Sequence, residues 1–120
     1  MNRTVRYDTS KFADCSDDEG KKILAFSIRT TDGVDEAHAA KQADARGSSM
    51  TEELIRFSLV SYEVAESTTE ARTVDIKHPF ASFDKWTTKV RNFVVAAWKR
   101  LSTPDEQEIK DFFASASEIE

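Results

Sequence analysis

Hydrophobic positions fall into two rhythms along this chain. Near the N-terminus the period is two. Leu24, Phe26 and Ile28 alternate with Ala25, Ser27 and Arg29, which predicts a half-buried strand, because successive strand side chains point to opposite faces. Thr4-Val5-Arg6-Tyr7 is a shorter strand candidate. Residues 14–20, rich in Asp and Ser, form the connecting loop. A β-hairpin over residues 1–31 is the simplest arrangement. A lone two-stranded hairpin is marginal in water, so it must pack on helices or on another chain.

From residue 32 the period becomes helical. Thr31-Asp32-Gly33 precedes an Ala-rich run with Asp35 and Glu36 in its first turn, Arg46 in its last and Gly47 as its stop. Its many alanines make a thin helix that allows close packing. Ser49 or Thr51 can cap a second helix reaching about Tyr62, with Leu54, Ile55, Phe57, Leu59 and Tyr62 as a wide apolar face. Residues 63–79 read as a loop with a short strand at Val74-Asp75-Ile76, closed by Pro79. Phe80, Phe83 and Trp86 then lead into the strongest helix, 85–101. Val90, Phe93, Val94, Ala97 and Leu101 form one stripe toward a core, while Lys85, Lys89, Asn92, Ala96 and Lys99 lie opposite. In Thr103-Pro104-Asp105-Glu106, Thr103 reads as an N-cap, Pro104 as the first helical residue and Glu106 as the closing residue of a capping box. The last helix, 104–116, carries Ile109, Phe112, Phe113 and Ala116 on one face. Helices 85–101 and 104–116, joined by two or three residues, are expected to close as an αα-hairpin. The expected fold is therefore α+β. An N-terminal β-hairpin (1–31) packs on a helical region (32–120) of about four helices ending in an αα-hairpin, all in one domain.

Composition narrows the function classes. With 120 residues the chain can bury one real core without metals or disulfides. The single cysteine, Cys15, cannot form an internal bridge and fits a reducing compartment. Its acidic neighbours Asp14, Asp17, Asp18 and Glu19 disfavour a nucleophilic thiolate. The longest apolar run, Phe93 to Trp98, is far short of the roughly 20 residues a membrane span needs. No apolar signal region follows Met1.

Candidate chemistry is sparse. His38, His78 and Cys15 are too few and too scattered for a zinc site. The acids of residues 14–19 lack the spacing of a calcium loop and read as a solvated loop. There is no Gly-x-Ser-x-Gly elbow, and Gly20, Gly33 and Gly47 build no phosphate cradle. Glu52-Glu53 and Asp105-Glu106 lie in first helical turns, where the helix dipole explains them. The expectation is a protein that is not an enzyme and holds no metal or cofactor.

Charge is arranged in blocks. The net charge is −5, which argues against a general nucleic-acid coat. Residues 76–101 hold six basic and one acidic side chain, whereas residues 102–120 hold one basic and six acidic. The basic stretch with Lys85, Trp86, Lys89, Arg91, Lys99 and Arg100 can pair with those acids or with a partner's. Eight Phe, two Trp and two Tyr are more than one small core is expected to hide, so some belong to a partner surface. Phe80, Phe83, Trp86, Lys89 and Trp98 are the expected partner-binding residues.

Four blocks carry a family resemblance over residues 25–115: Ala25-Phe26-Ser27-Ile28-Arg29-Thr30-Thr31 before an acidic, Ala-rich helix; Glu52-Glu53-Leu54-Ile55-Arg56-Phe57-Ser58-Leu59-Val60; Phe80-x-x-Phe83-Asp84-x-Trp86 running into Thr88-Lys89-Val90-Arg91-Asn92-Phe93; and Leu101-Ser102-Thr103-Pro104-x-Glu106-x-Glu108-Ile109-x-Asp111-Phe112-Phe113. Their order resembles the tail assembly chaperones of long-tailed bacteriophages. The resemblance implies a small, mostly helical protein of the host cytoplasm. Such a protein binds the tape-measure protein, assists tail-tube subunits to polymerise around it and is absent from the finished virion; the alternating charge blocks of this chain separately allow self-association. Grooves lined by the helices at 49–62 and 86–101 would take a long helical client. The alternative is a small structural or adaptor protein of the virion, or another protein-interaction module.

Overall fold

The computed structural model describes residues 3–76 and 83–118. Four strands, β1 (Thr4–Asp8), β2 (Ile23–Arg29), β3 (Leu59–Ala65) and β4 (Ala71–Asp75), form one antiparallel sheet in the order β1-β2-β3-β4. Helices α1 (Gly33–Arg46) and α2 (Met50–Ser58) are inserted between β2 and β3. The chain then ends in a long bent helix whose segments are α3 (Thr88–Ser102) and α4 (Glu106–Ala114).

This overturns the expected hairpin on about four helices ending in an αα-hairpin, at two places. The first is residue 59. The α2 helix ends at Ser58, whose hydroxyl donates to the Ile55 carbonyl at 2.6 Å, and Leu59 starts a strand at once. The reason lies in β2. Its Ile23, Ala25 and Ile28 are fully buried, so its backbone needs partners along both edges. β1 pairs with one edge and β3 with the other, with register shifts on the β3 side near Leu24 and between Ser27 and Ile28. Those irregularities explain the burial of adjacent Ala25 and Phe26 and the half-burial of Leu24, where strict alternation predicts otherwise. Val60, Tyr62 and Val64 suit a pleated strand as well as a helix face. The expected loop at 63–79 is instead largely the β3–β4 hairpin. Its tip is closed by Glu66 and Glu70 backbones and by the Ser67 hydroxyl accepting from the Glu70 N–H.

The second place is the Thr-Pro segment. Thr103 adopts φ −115°, ψ 129°, the extended conformation that a following proline imposes. Thr103 therefore ends α3. Asp105, not Thr103, caps α4, accepting from the Glu108 N–H at 2.8 Å while Glu108 accepts from the Asp105 N–H at 3.1 Å. A carboxylate at this position also complements the helix dipole. Residues 102–118 are all exposed, so α4 does not fold back on α3, and the molecule is elongated at 64 × 34 × 23 Å.

Between sheet and α3 lies the core. Phe26, Ile28, Leu59 and Val64 meet Val90, Val94 and Ala97 of α3, joined by Ile55 of α2 and by Phe83 and Trp86. The stripe read from the sequence is thus present, with Val90, Val94 and Ala97 buried and Phe93 and Leu101 half-buried at its margins. Lys85, Lys89, Asn92, Ala96 and Lys99 are exposed. Trp86 stands edge-on to Tyr62 at 5.0 Å between ring centroids, and Tyr7 stacks on Phe26 at 5.7 Å. On the other face, Arg6 and Glu63 pair at 2.6 Å across the small β2 residues Ala25 and Ser27.

Local signals placed α1 as expected. Asp32 caps it and shares a capping box with Asp35, and Gly47 ends it at φ 69°. Ala39 and Ala43, one turn apart, are its buried residues, letting α1 lie close against α2. A charged clasp then ties these helices to the start of the α3 segment. Glu53, fully buried, accepts from Ser48 at 2.5 Å and pairs with Arg46 at 3.1 Å and Arg56 at 3.3 Å. Both arginines also reach Asp84, and Arg56 lies over the Phe83 ring. A carboxylate buried this way is tolerable only with such partners.

Candidate functional site

Helix α3 organises the surface. At 3.6 residues per turn, its buried stripe is flanked on one side by Arg91, Val95, Trp98 and Ser102, and on the other by Lys89, Phe93, Ala96 and Arg100. Each flank faces a separate crevice system.

On the first flank, two crevices lie between α2 and α3. One, of about 450 Å³, is lined by Met50, Leu54, Trp98 and Leu101, with Thr30 and Thr31 at its edge. The other, of about 350 Å³, is lined by Ile55, Arg56, Phe83, Arg91 and Val95. The indole Nε1 of Trp98 and the Nε of Arg91 are both shielded from solvent with no hydrogen-bond acceptor among the described residues. Two shielded donors without acceptors are uncommon in a folded protein. Seven residues separate them, about 10 Å along the helix axis.

The edge of this groove is held by a bidentate pair. Arg29 donates to both carboxylate oxygens of Asp35 at 2.9 Å, and also to the Thr30 carbonyl at 3.2 Å. Those hydrogen bonds, above all, lower the Asp35 carboxyl from 3.8 to about 2 against the opposing effect of burial. The pair fixes the Thr30-Thr31 segment against the first turn of α1.

On the second flank, a mostly apolar crevice of about 230 Å³ lies where α3 crosses β1 and β2. It is lined by Tyr7, Phe26, Phe93, Ala96 and Arg100, among others. Phe12, from the loop after β1, rests on Phe93 at 4.8 Å and is itself 42% exposed.

Of the residues expected to bind a partner, the structure brings two into the core: Phe83 is 7% and Trp86 4% exposed. Trp98 lies on the α2–α3 groove, Lys89 is exposed on the opposite flank, and Phe80 lies outside the described residues. Met50 is a groove residue that the sequence does not single out, while Leu54, read there as part of an apolar helix face, and Arg91, read as part of the basic stretch, also line the groove. The spacing of Arg91, Val95 and Trp98 at 4 and 3 residues was the available signal. Phe12 had none, because its placement depends on a loop.

In the loop before β2, Asp17 and Cys15 serve the fold. The Asp17 carboxylate accepts from the Glu19 and Lys21 N–H groups at 2.9 Å each, so it organises its own turn. Cys15 is buried, and burial, more than the charge of Asp14, pushes its thiol up. The Thr87 hydroxyl donates to the Asp14 carbonyl at 2.7 Å and accepts from the Ser16 N–H at 3.2 Å, tying this loop to the start of α3. Among the described residues no group of three or more His, Cys, Asp or Glu side chains is placed to hold a metal, and no helix is long and apolar enough to cross a membrane. No protein-family profile, curated protein or solved structure matches the chain.

Proposed function

We propose that this protein is a non-enzymatic binding protein of the phage tail assembly chaperone type, acting in the host cytoplasm on the tape-measure protein while the tail tube assembles. The observation that carries the reading is the α2–α3 groove with its two unpaired donors, Trp98 Nε1 and Arg91 Nε. A client helix laid in this groove would place apolar side chains against Met50, Leu54 and Leu101. Its acceptors, a carboxylate at Arg91 and a carbonyl or amide oxygen at Trp98, would satisfy the donors. This is helix-in-groove recognition, with polar groups fixing the register of an otherwise apolar contact. The order of the four sequence blocks supports the same reading.

Co-expression with the tape-measure protein tests it. The wild-type chain should co-purify with that protein and keep it soluble. Trp98→Phe, which keeps the ring but removes the donor, and Arg91→Gln should each weaken the complex by about tenfold. Unchanged capture by both variants would remove the groove from the reading. Stoichiometric copies of the chain in purified particles would favour a structural virion protein over a chaperone.

A further inference from the structure

Helix α4 presents the largest exposed apolar side chains of the described residues together on one face. Phe112 is 70% exposed, Phe113 69% and Ile109 43%, and the two rings lie edge to face at 5.2 Å. Spacings of three and four residues keep Ile109, Phe112 and Phe113 on one side of the helix. Scattered apolar residues are ordinary on a surface, but a contiguous aromatic patch marks a contact. The capping box of Asp105 and Glu108 holds the helix formed although none of the described residues covers it.

We infer that this face is covered by a second copy of the chain. The α4 helix of one copy docks head to tail on the crevice where α3 crosses β1 and β2 in the next. Three features select this occupant. The crevice is apolar, and its 230 Å³ exceeds the roughly 150 Å³ that holds a benzene molecule, so it accepts one phenyl ring with room for part of a second. Its length also fits: Phe93 to Arg100 spans about 10 Å of α3, against about 14 Å for the nine residues of α4. Charge is complementary as well. Arg100 lines the crevice and Lys89 lies one turn before Phe93 on the same flank of α3, and neither is in an ion pair among the described residues, while the one acid of the lining, Asp8, is paired with Arg6 at 3.6 Å. The α4 segment carries Glu106, Glu108 and Asp111 against Lys110 alone.

Because donor and acceptor surfaces differ, the contact is heterologous. It extends into a chain of copies or closes into a ring, depending on the rotation between neighbours. It uses the flank of α3 opposite the Trp98 groove, so it does not depend on the client reading, and the test needs no client.

Sedimentation of the purified full chain over a concentration series tests it. The wild type should pass from monomer to larger species as concentration rises, and added salt should oppose the change. Phe112→Ser/Phe113→Ser removes the donor face, and Ala96→Glu places an acid in the acceptor crevice at an exposed position. Each variant should keep the wild-type circular dichroism and melting temperature while self-associating at least tenfold more weakly. Each also keeps one intact surface, so an equimolar mixture of the two should form a heterodimer and stop there. A wild type that stays monomeric throughout, as it would if α4 covered its own crevice, overturns the inference. So does self-association that survives both variants, or a mixture that remains monomeric.

Discussion

Helices α3 and α4 are consecutive, carry apolar residues at the same spacings and meet opposite fates. The Val90, Val94 and Ala97 stripe of α3 is closed against the sheet, while the Ile109, Phe112 and Phe113 stripe of α4 stands in water. Hydrophobicity does not separate them, since α4 holds the larger side chains. What separates them is the supply of complementary surface. One face of a four-stranded sheet, with Ile55, Phe83 and Trp86 at its margin, is filled by α3, and α4 continues past it, exposed, once Thr103 turns extended before Pro104. An amphipathic stripe therefore reports that a surface will be buried, but not whether its own chain will bury it.

Substitutions can break or sharpen that contrast. The largest effect is expected in the α3 core. Trp86→Ala or Phe26→Ala should destabilise the protein by about 3–5 kcal/mol in urea unfolding. A loss under 1 kcal/mol at Trp86 would mean that its indole belongs to a partner surface after all.

Next comes the Arg29–Asp35 pair at the groove edge. The carboxyl is held at about 2 in the folded chain against 3.8 ordinarily, so the folded state favours its ionised form. The resulting stability is fully present above pH 3.8 and is lost as pH falls toward 2. Asp35→Asn should therefore cost up to about 2 kcal/mol at neutral pH, and the difference from wild type should close over that acidic window. A difference that stays constant into acid would assign the effect to the α1 cap instead.

Gly47→Ala should cost about 1 kcal/mol. The space around Gly47 is open, and only its left-handed backbone at φ 69° resists a side chain. The smallest effect is expected in α4. Phe112→Ser/Phe113→Ser should change monomer stability by less than about 0.5 kcal/mol at low concentration. Asp105→Ala should speed amide exchange in residues 106–114 without moving the main unfolding transition. A large shift from either would show that α4 packs on its own chain in solution.

Where structure depends on neighbours in the chain, the sequence was legible. The α1 boundaries followed from Asp32, Asp35, Arg46 and Gly47, each acting within one turn. The α3 stripe followed from its period. At the candidate site, Phe83, Trp86 and Trp98 read alike in the sequence, yet Phe83 and Trp86 lie in the core and Trp98 lies on the α2–α3 groove. Nothing local distinguishes an aromatic that closes a core from one that waits for a partner.

By itself, then, the sequence determined the capped α1, the direction in which α3 buries its stripe, the strand at Phe26–Ile28 and the opposed charge of the last two segments. Each of these rests on capping, periodicity or composition within a dozen residues. Tertiary structure alone decided that the chain leaves helix for strand at Leu59, because both edges of buried β2 needed hydrogen-bond partners. It also decided that α4 projects from the body, whereas the Asp105 and Glu108 capping box follows from the extended conformation that Pro104 imposes on Thr103. In those cases two local conformations were each acceptable, and the surface available elsewhere in the fold chose between them.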